Sequence, residues 1–474
     1  MLKKATDRLS EFGKGEINIK TFNDLLAVGE SERARMDFCW KAITEHMNSA
    51  EVLEAEENQQ YFDGMNPTIT KADKFITDIF GRSVPDVWHA NHKIKCQLYP
   101  YFVIQRVLFL LGNGISFSNA KTLEKLGENF EHTVFQAAID AQNGAVSFLF
   151  LNLDHVDKFS VREFVPLNDE ETGRLSAGIR HWQMADDKPV RITLYELDGY
   201  TEYIKRDGEE MEVLEEKRPY VQVVKESAAG TEIAPGESYP GFPIVPLEMF
   251  NHHTAMYGHR ESIDGYDLIA SKLLNNIDNF EFAYWIIKGA PALMDDPDRL
   301  NEIYQRLTAS KFIALGEGQE MDEHRVEIPV EATESGLKFL RQQLFSDFMA
   351  FDPLSVAGGA DTATQIKASY EPLNEMTDLF EYQVTKAIMG ILKLAGIDDK
   401  PTYRRSENIN KAEEIQTLIQ IREYVDEEYI TRRALDILGD ADQADEVLKR
   451  MDAEAMNNFT EPAETERAEG EVIG

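Results

Sequence analysis

The sequence predicts an α+β chain that is mainly helical, and three observations carry that expectation. Apolar residues recur at helical spacing through long stretches such as FNDLLAVGESERARMDFCWKAITEHM and TATQIKASYEPLNEMTDLFEYQVTKAIMGILKLAGI. Between Val161 and about Lys225 the pattern changes to short, partly alternating runs divided by Asp, Gly and Glu turns, as in an antiparallel meander or curled sheet. The 474 residues are 43% hydrophobic and 10% aromatic. That is enough for a sizeable core, divided among about three packed units at ordinary domain size.

In chain order, residues 1 to about 58 read as polar helices, and Asn66, Pro67 and Thr68 interrupt them. KADKFITDIF, starting at Lys71, is expected to be a further helix. Tyr101 to Leu111 is an apolar helix that Gly112 to Gly114 ends. ENFEHTVFQAAIDAQNG is an amphipathic helix stopped at Gly144, and AVSFLFLNL after it reads as a strand. REFVPL, IRHWQM, VRITLYEL, YTEYI, MEVL and YVQVV supply the meander. AAGTEIAPGESYPGFPIVPLEMF, with prolines at 235, 240, 243 and 246, is expected to be an ordered connector.

Further on, Ile263, Tyr266, Ala270, Leu273, Ile277 and Phe280 fall three and four apart, which places one apolar stripe on a long helix. That stripe fits either a core within one chain or packing against a neighbouring copy. After FAYWIIKGAP come a short helix over Asp298–Leu307, a strand KFIAL and a turn-rich acidic stretch. A second helix carries Leu337, Leu340, Leu344 and Phe348 on one stripe. AFDPLSVAGGADTA, residues 350–363, breaks it, because Pro353 and the Gly358–Gly359 pair are poor helix formers. The next helical pattern runs to near Gly396 with Pro372 inside it. A kink is expected there, since proline lacks the amide donor and clashes with the carbonyl four residues back. Two or three short helices follow, and the Glu-rich tail FTEPAETERAEGEVIG is expected to be disordered.

Charge and chemistry exclude several classes. With 85 acidic and 49 basic residues, the net charge is -36. The chain lacks the basic footprint that neutralises phosphates, which argues against stable DNA binding. There are two cysteines, Cys39 and Cys96, far apart and with no metal-ligand partner at short spacing; they make no disulfide framework, and reduced thiols in an intracellular setting are expected. The N-terminal MLKKATDRLSEFGKGEINIK has no signal-peptide apolar region. FVIQRVLFLLG is too short to span a bilayer and is interrupted by Gln105 and Arg106, so no membrane segment is expected.

No catalytic residues, cofactor or metal are expected. GNGIS at 112–116 and the Gly358–Gly359 pair lack the lysine of a phosphate loop, and no nucleophile elbow occurs. His252, His253 and His259 read as polar loop residues rather than ligands. Asp295, Asp296 and Asp298 read as a solvated turn or helix start rather than a two-metal nuclease site. Asp86 with Lys93 and Lys95 lacks the middle acid of a nuclease motif.

A series of motifs carries a family resemblance. YFDG is followed by NHKIKCQLYPYFVIQRVLFLLGNGISF, AQNGAVSFLF, FVPLNDEETGRLSAGIRHWQ and YELDGYTEYI. Then come GFPIVPLEMFN, ESIDGYDLIASKLLNNIDNF, WIIKGA, TATQIK and YITRRALDILGDADQADEVLKRMDAE. In their order from about Tyr61 to Glu454 these resemble the SPP1-type portal proteins of tailed double-stranded-DNA bacteriophages. The match is poorest over the first 60 residues, 316–330 and the tail.

The resemblance implies a portal fold assembled as a cyclic ring. Residues 1–255 would be the wing, 256–285 the first stem helix, 286–330 the clip and 331–349 the second stem helix. Residues 350–363 would be the tunnel loop, 364–399 the kinked helix, 400–455 the crown and 456–474 the acidic tail. The tunnel-loop residues would be Asp352, Pro353, Leu354, Ser355, Val356, Gly358, Gly359, Asp361 and Thr362. Lys338, Arg341 and Lys367 would offer sparse contacts to the DNA backbone. Implied partners are the protein itself (a dodecamer, or a 13-mer when isolated), the terminase large subunit, major capsid and scaffolding proteins, a head-completion adaptor and transiently held duplex DNA. The implied place is the portal vertex of the virion, after synthesis in the host cytoplasm. The alternative is a capsid-associated assembly or scaffolding factor without a channel; a metal-dependent nuclease is a third, weaker reading.

Overall fold

A computed structural model describes residues 20–71, 73, 75–77, 82–86, 90–119, 121–227, 230–235, 239–278, 284–288, 320–324, 330–355, 363–406, 418, 420, 425–438 and 444–451. The chain divides into two compact units, Met1–Phe351 with Pro372–Ser406 and Asp352–Glu371 with Glu407–Gly474.

The first unit opens with helices α1 (Phe22–Val28), α2 (Glu32–Met47) and α3 (Ala50–Phe62). Thr21 and Asp24 cap α1 reciprocally: the Asp24 amide donates to Thr21 Oγ1 (3.2 Å) and the Thr21 amide to Asp24 Oδ2 (3.1 Å). Helix α3 ends at Phe62, and Asn66 and Pro67 start the next helix, α4 (Pro67–Lys71). The Ile69 amide donates to Asn66 Oδ1, and Pro67 takes the first helical position, where no amide is needed.

Of the stretch KADKFITDIF expected to be helical, residues 72, 74 and 78–80 lie outside the described residues, and Phe75–Thr77 are strand rather than helix. This strand, β1 (Phe75–Thr77), pairs antiparallel with β2 (Ser83–Pro85), with Thr77 opposite Ser83. Ile76 and Thr77 are β-branched, and a helix this short would nucleate poorly, so the ladder is favoured.

Helix α5 (Leu98–Leu111) buries nine residues around its circumference and ends at Gly112 as expected. After β3 (Ile115–Ser116) and α6 (Lys121–Leu126) comes α7 (Phe130–Gly144). The left-handed residue that closes α7 is Ala145 (φ 64°) rather than a glycine. Gly144 provides clearance: a Cβ there would stand 2.7 Å from Val161 Cγ1.

Strands β4 (Val146–Asn152) and β5 (His155–Ser160) form a hairpin. The expected meander follows as β6 (Phe164–Asn168), β7 (Leu175–Trp182), β8 (Val190–Glu196), β9 (Gly199–Lys205) and β10 (Glu212–Arg218), paired in sequence order. β11 (Gln222–Ser227) and β12 (Gly230–Pro235) make a second hairpin, and β13 (Ile244–Glu248) pairs with β4. The stretch expected to be a connector is therefore partly sheet. β13 lies at the edge of its three-stranded sheet, where Pro246 is tolerated.

Helix α8 (Arg260–Asp278) follows, then β14 (Tyr284–Lys288) paired with β15 (Glu320–His324), and α9 (Val330–Asp347). Helix α10 (Ala363–Leu394) continues through Pro372, and β16 (Thr402–Tyr403) pairs with β3. The helix expected at 298–307, the strand KFIAL and the acidic tail lie outside the described residues.

Five apolar clusters position the described elements of the first unit, and three of them bear on the elements discussed below. Val107, Ala138, Leu149, Val384 and Ile388 are among the residues joining α5, α7, β4 and the later part of α10. Phe38, Ile43, Ile179, Leu194 and Tyr203 seat α2 on the meander. Tyr99, Phe102, Ile263, Leu344 and Phe348 tie α5 to α8 and α9. In the second unit, Asp352 precedes a single 3-10 turn over Pro353–Ser355, and α11 (Glu427–Leu438) is followed by helical residues 444–451.

Candidate functional site

The end of α9, where the chain leaves for the loop expected at 350–363, is held by an unusually complete set of contacts. The helix closes in a Schellman arrangement: the Ala350 amide donates to the Phe345 carbonyl (2.9 Å) and the Met349 amide to the Ser346 carbonyl (3.0 Å). Met349 takes the left-handed position (φ 50°), where glycine is the usual residue. Phe102 of α5 stacks on Phe348 (4.3 Å between ring centres) and meets Phe345 edge-on (5.0 Å), so aromatic packing fixes the last turn.

Polar groups on α5 then hold the exit. The Gln105 amide donates to the Phe351 carbonyl (2.9 Å), and its oxygen accepts from the Phe351 amide (3.1 Å). The Tyr101 hydroxyl also donates to that carbonyl (3.2 Å) and accepts from Gln105 (2.8 Å). Arg106 is only 4% exposed and donates to Gln142 Oε1 (3.2 Å) and the Phe348 carbonyl (3.3 Å). Its Nε has no partner among the described residues. Burial pushes its pKa down to about 10, so it remains a cation at neutral pH, set against the carbonyl end of α9. His259 packs on Phe348 (4.5 Å), and burial lowers its pKa.

A second set of contacts fastens α8. Its buried positions beyond Ile263 are Asp267, Ser271 and Asn275, four apart and all polar. Residues 92–96 run beside them: the Cys96 amide donates to Asp267 Oδ1 (2.9 Å), the Ile94 amide to Ser271 Oγ (2.9 Å) and the His92 amide to Asn275 Oδ1 (2.6 Å). The match is geometric. Two residues of extended chain advance about 6.6 Å and four residues of helix about 6.0 Å, so every second amide meets every fourth helix residue. His92 also pairs with Asp278 at the helix end. Asn66 Nδ2 donates to both Asp264 Oδ1 and Asp267 Oδ2 (2.9 Å each), and Tyr61 donates to Asp264 (2.8 Å). Burial raises the Asp267 pKa, against the lowering effect of these donors.

The expected site residues are distributed as follows. On α8, Ile263 is buried, Tyr266, Ala270 and Leu273 are half-buried, Ile277 is 50% exposed, and Phe280 lies outside the described residues. On α9, Lys338 is exposed, and the Arg341 guanidinium lies 4.6 Å over the Phe345 ring. Lys367 is exposed on α10, as is Pro372, and the helix is continuous through the proline. Asp352, Pro353, Leu354 and Ser355 form a closed turn, in which the Leu354 amide donates to Asp352 Oδ1 (3.0 Å) and the Ser355 hydroxyl to the Asp352 carbonyl (2.7 Å). Val356, Gly358, Gly359, Asp361 and Thr362 lie outside the described residues.

Sequence reasoning noted Gln105 and Arg106 only as interruptions of an apolar run. That interruption was the available signal, because two polar residues inside a buried helix need buried partners. The polar ladder on α8 left no such mark, since its partner is backbone. Among the described residues no group of three or more His, Cys, Asp or Glu side chains could hold a metal ion. His253 stacks on Tyr257 (3.8 Å) and His259 on Phe348, so these histidines diverge. No described helix is long and apolar enough to cross a membrane.

The sequence matches the family of phage portal proteins of the SPP1 Gp6-like type over residues 42–458. The chain belongs to that family, whose members are structural proteins of the virion's portal vertex. No curated protein matches the chain. Solved structures with some likeness include the neck of an empty gene transfer agent particle computed with C6 symmetry. It is 10% identical, with 72% of this chain and 90% of that one covered and a TM-score of 0.40. The neck of the native particle computed with C12 symmetry is 10% identical, covering 70% and 86%, with a TM-score of 0.38. A chain of the native particle's virion gives 10% identity, 69% and 86% coverage and a TM-score of 0.38.

Proposed function

We propose that this portal protein forms a closed ring, of twelve copies in the virion and twelve or thirteen in isolation, at one capsid vertex. Duplex DNA enters and leaves through its bore, the terminase docks during packaging, and a head-completion adaptor replaces it. The ring also nucleates procapsid assembly with scaffolding and capsid proteins. The observation that carries this reading is the family match over residues 42–458. The wing, stem, clip, tunnel-loop and crown boundaries given above are part of the proposal.

Two features of the chain are consistent with it. A net charge of -36 suits a surface that lies beside DNA without adhering to it. The post built by α5 at Phe348–Phe351 would give a loop beginning at Asp352 a fixed root, and Lys338, Arg341 and Lys367 would touch phosphates only in passing. The test is electron cryo-microscopy of the purified protein with symmetry counted. Rings of twelve or thirteen with a bore near the width of duplex DNA support the proposal. A monomer or closed dimer across protein concentration and salt would overturn it in favour of an assembly factor without a channel.

A further inference from the structure

A cleft of about 1490 Å³ opens in the first unit. Its lining comes from the α2–α3 junction, β6 and the turn before β7, together with residues 240–242, β13 and the last turns of α10. The volume exceeds the roughly 300–1,000 Å³ typical of small-molecule sites, so a stretch of polypeptide fits it better than a metabolite.

Two sheet edges meet the cleft. β6 and β13 are each the terminal strand of their sheet. The Leu151 amide bonds the Pro243 carbonyl and the Met249 amide bonds the Ala145 carbonyl, which fixes the alternation along β13. Ile244, Pro246 and Glu248 therefore turn their backbone groups away from β4. On β6 the His181 amide bonds the Glu163 carbonyl, so Phe164 and Pro166 likewise turn theirs outward. Each edge carries a proline at its centre, which hinders continuous pairing with another sheet. Ile244 and Phe164 are buried, whereas Pro166, Pro246 and Glu248 are half-buried, so their outward groups are the ones placed to meet an extended segment. The wall is preformed: a Cβ on Gly390 would stand 2.7 Å from Val245 Cγ1, so α10 lies directly on β13.

The charge of the lining runs against that of the molecule. Lys20, Arg174, Lys386 and Lys393 face Glu45, Glu51 and Glu248, four bases against three acids in a chain of net charge -36. Lys20 pairs with Glu45 (3.5 Å) and Lys386 with Glu248 (3.2 Å). Arg174 and Lys393 are exposed and make no ion pair among the described residues.

We propose that this cleft docks an extended acidic peptide segment of a partner protein. The carboxylates of the segment pair with Arg174 and Lys393, its alternate apolar side chains pack on Leu175 and Val245, and its backbone pairs with the outward groups of β13. This inference is independent of ring formation.

The test is fluorescence anisotropy of the full-length protein with two labelled twelve-residue probes, one alternating Leu and Glu and one alternating Leu and Gln, in about 150 mM salt, where unspecific attraction between exposed charges is largely screened. The Glu probe is expected to bind at least tenfold more tightly, although the protein as a whole is acidic. The double variant Arg174→Glu with Lys393→Glu should lose at least tenfold of that affinity. Reversal of Lys71 and Lys188, exposed lysines outside the lining, should change it less than twofold. Equal affinity for the two probes, or equal loss in both double variants, overturns the proposal. A cleft variant that alters oligomeric state by sedimentation, while the unaltered protein ignores both probes, also overturns it and assigns the cleft to contact between copies.

Discussion

Gln105 shows how much one side chain settles at the exit of α9. Its amide group bonds both backbone groups of Phe351, and a carboxylate there would set an acceptor against the Phe351 carbonyl. Gln105→Ala is expected to destabilise the first unit by about 1–2 kcal/mol, the usual cost of losing two partly buried hydrogen bonds, although Tyr101 still donates to the Phe351 carbonyl. Urea unfolding measures the loss, and hydrogen exchange at the Phe351 amide should speed up in parallel. Gln105→Glu should cost nearly as much. His181 tells a different story, about pH. Burial, and then the nearby His46, push its pKa down to about 4, and its Nε2 has no partner among the described residues. The folded state thus holds His181 neutral while the unfolded chain titrates near the ordinary value of about 6.5. Its contribution is fully present above pH 6.5 and is lost progressively as pH falls from there to about 4. By linkage the loss is roughly 2–4 kcal/mol. Unfolding free energies measured from pH 7 to pH 4 should fall steeply in the native chain and less so in His181→Phe. Identical slopes in the two proteins would remove His181 from the acid limb.

At the scale of elements, the polar ladder between residues 92–96 and α8 is as much a structural joint as any apolar seam. Ser271→Ala and Asn275→Ala each remove an acceptor from a strap amide, of Ile94 and His92 respectively. Each substitution is expected to cost about 1 kcal/mol, with faster hydrogen exchange confined to residues 90–96. If exchange there is unchanged while overall stability falls, α8 itself and not the joint has been weakened. This joint also marks where the sequence stopped being legible. Apolar period located α5, α7, α8 and α10, and alternation between turns located the meander, because those signals are local and repeat. The ladder joins residues more than 170 positions apart and is read by backbone groups, which every residue possesses. The pattern on α8 accordingly drew attention to Ile263, which is buried, and to Ile277, which is exposed, but not to the buried Asp267, Ser271 and Asn275. The β1–β2 hairpin was missed for a related reason, since three-residue strands carry too little pattern to outweigh helical spacing around them. Ala145 and Met349 escaped as well: each holds a left-handed position that sequence reasoning reserves for glycine. The loop residues Asp352 and Ser355 were legible as a break, through Pro353, though their closed turn was not.

For the whole molecule, charge and exposed apolar surface pull in opposite directions. Each copy carries -36, so copies brought together repel one another at low salt. In the single chain Leu268 is 40% exposed, Ile277 50%, Leu379 46% and Tyr382 69%, all on helices whose other faces are buried. Surfaces of this kind gain from association, and that gain changes little with moderate salt. Screening shortens the reach of the repulsion from about 14 Å at 0.05 M to about 4 Å at 0.5 M. If the proposed ring closes chiefly through apolar helix faces, sedimentation velocity should show the assembled fraction rising over that range at fixed protein concentration. Duplex DNA should not co-sediment with the rings at 0.15 M salt, because 49 basic against 85 acidic residues give no overall basic footprint to displace counterions from phosphate. Assembly that dissolves as salt rises would place ion pairs, not apolar faces, at the contacts between copies. Arg341 on α9 and Glu261 on α8 would then be among the first charges to reverse.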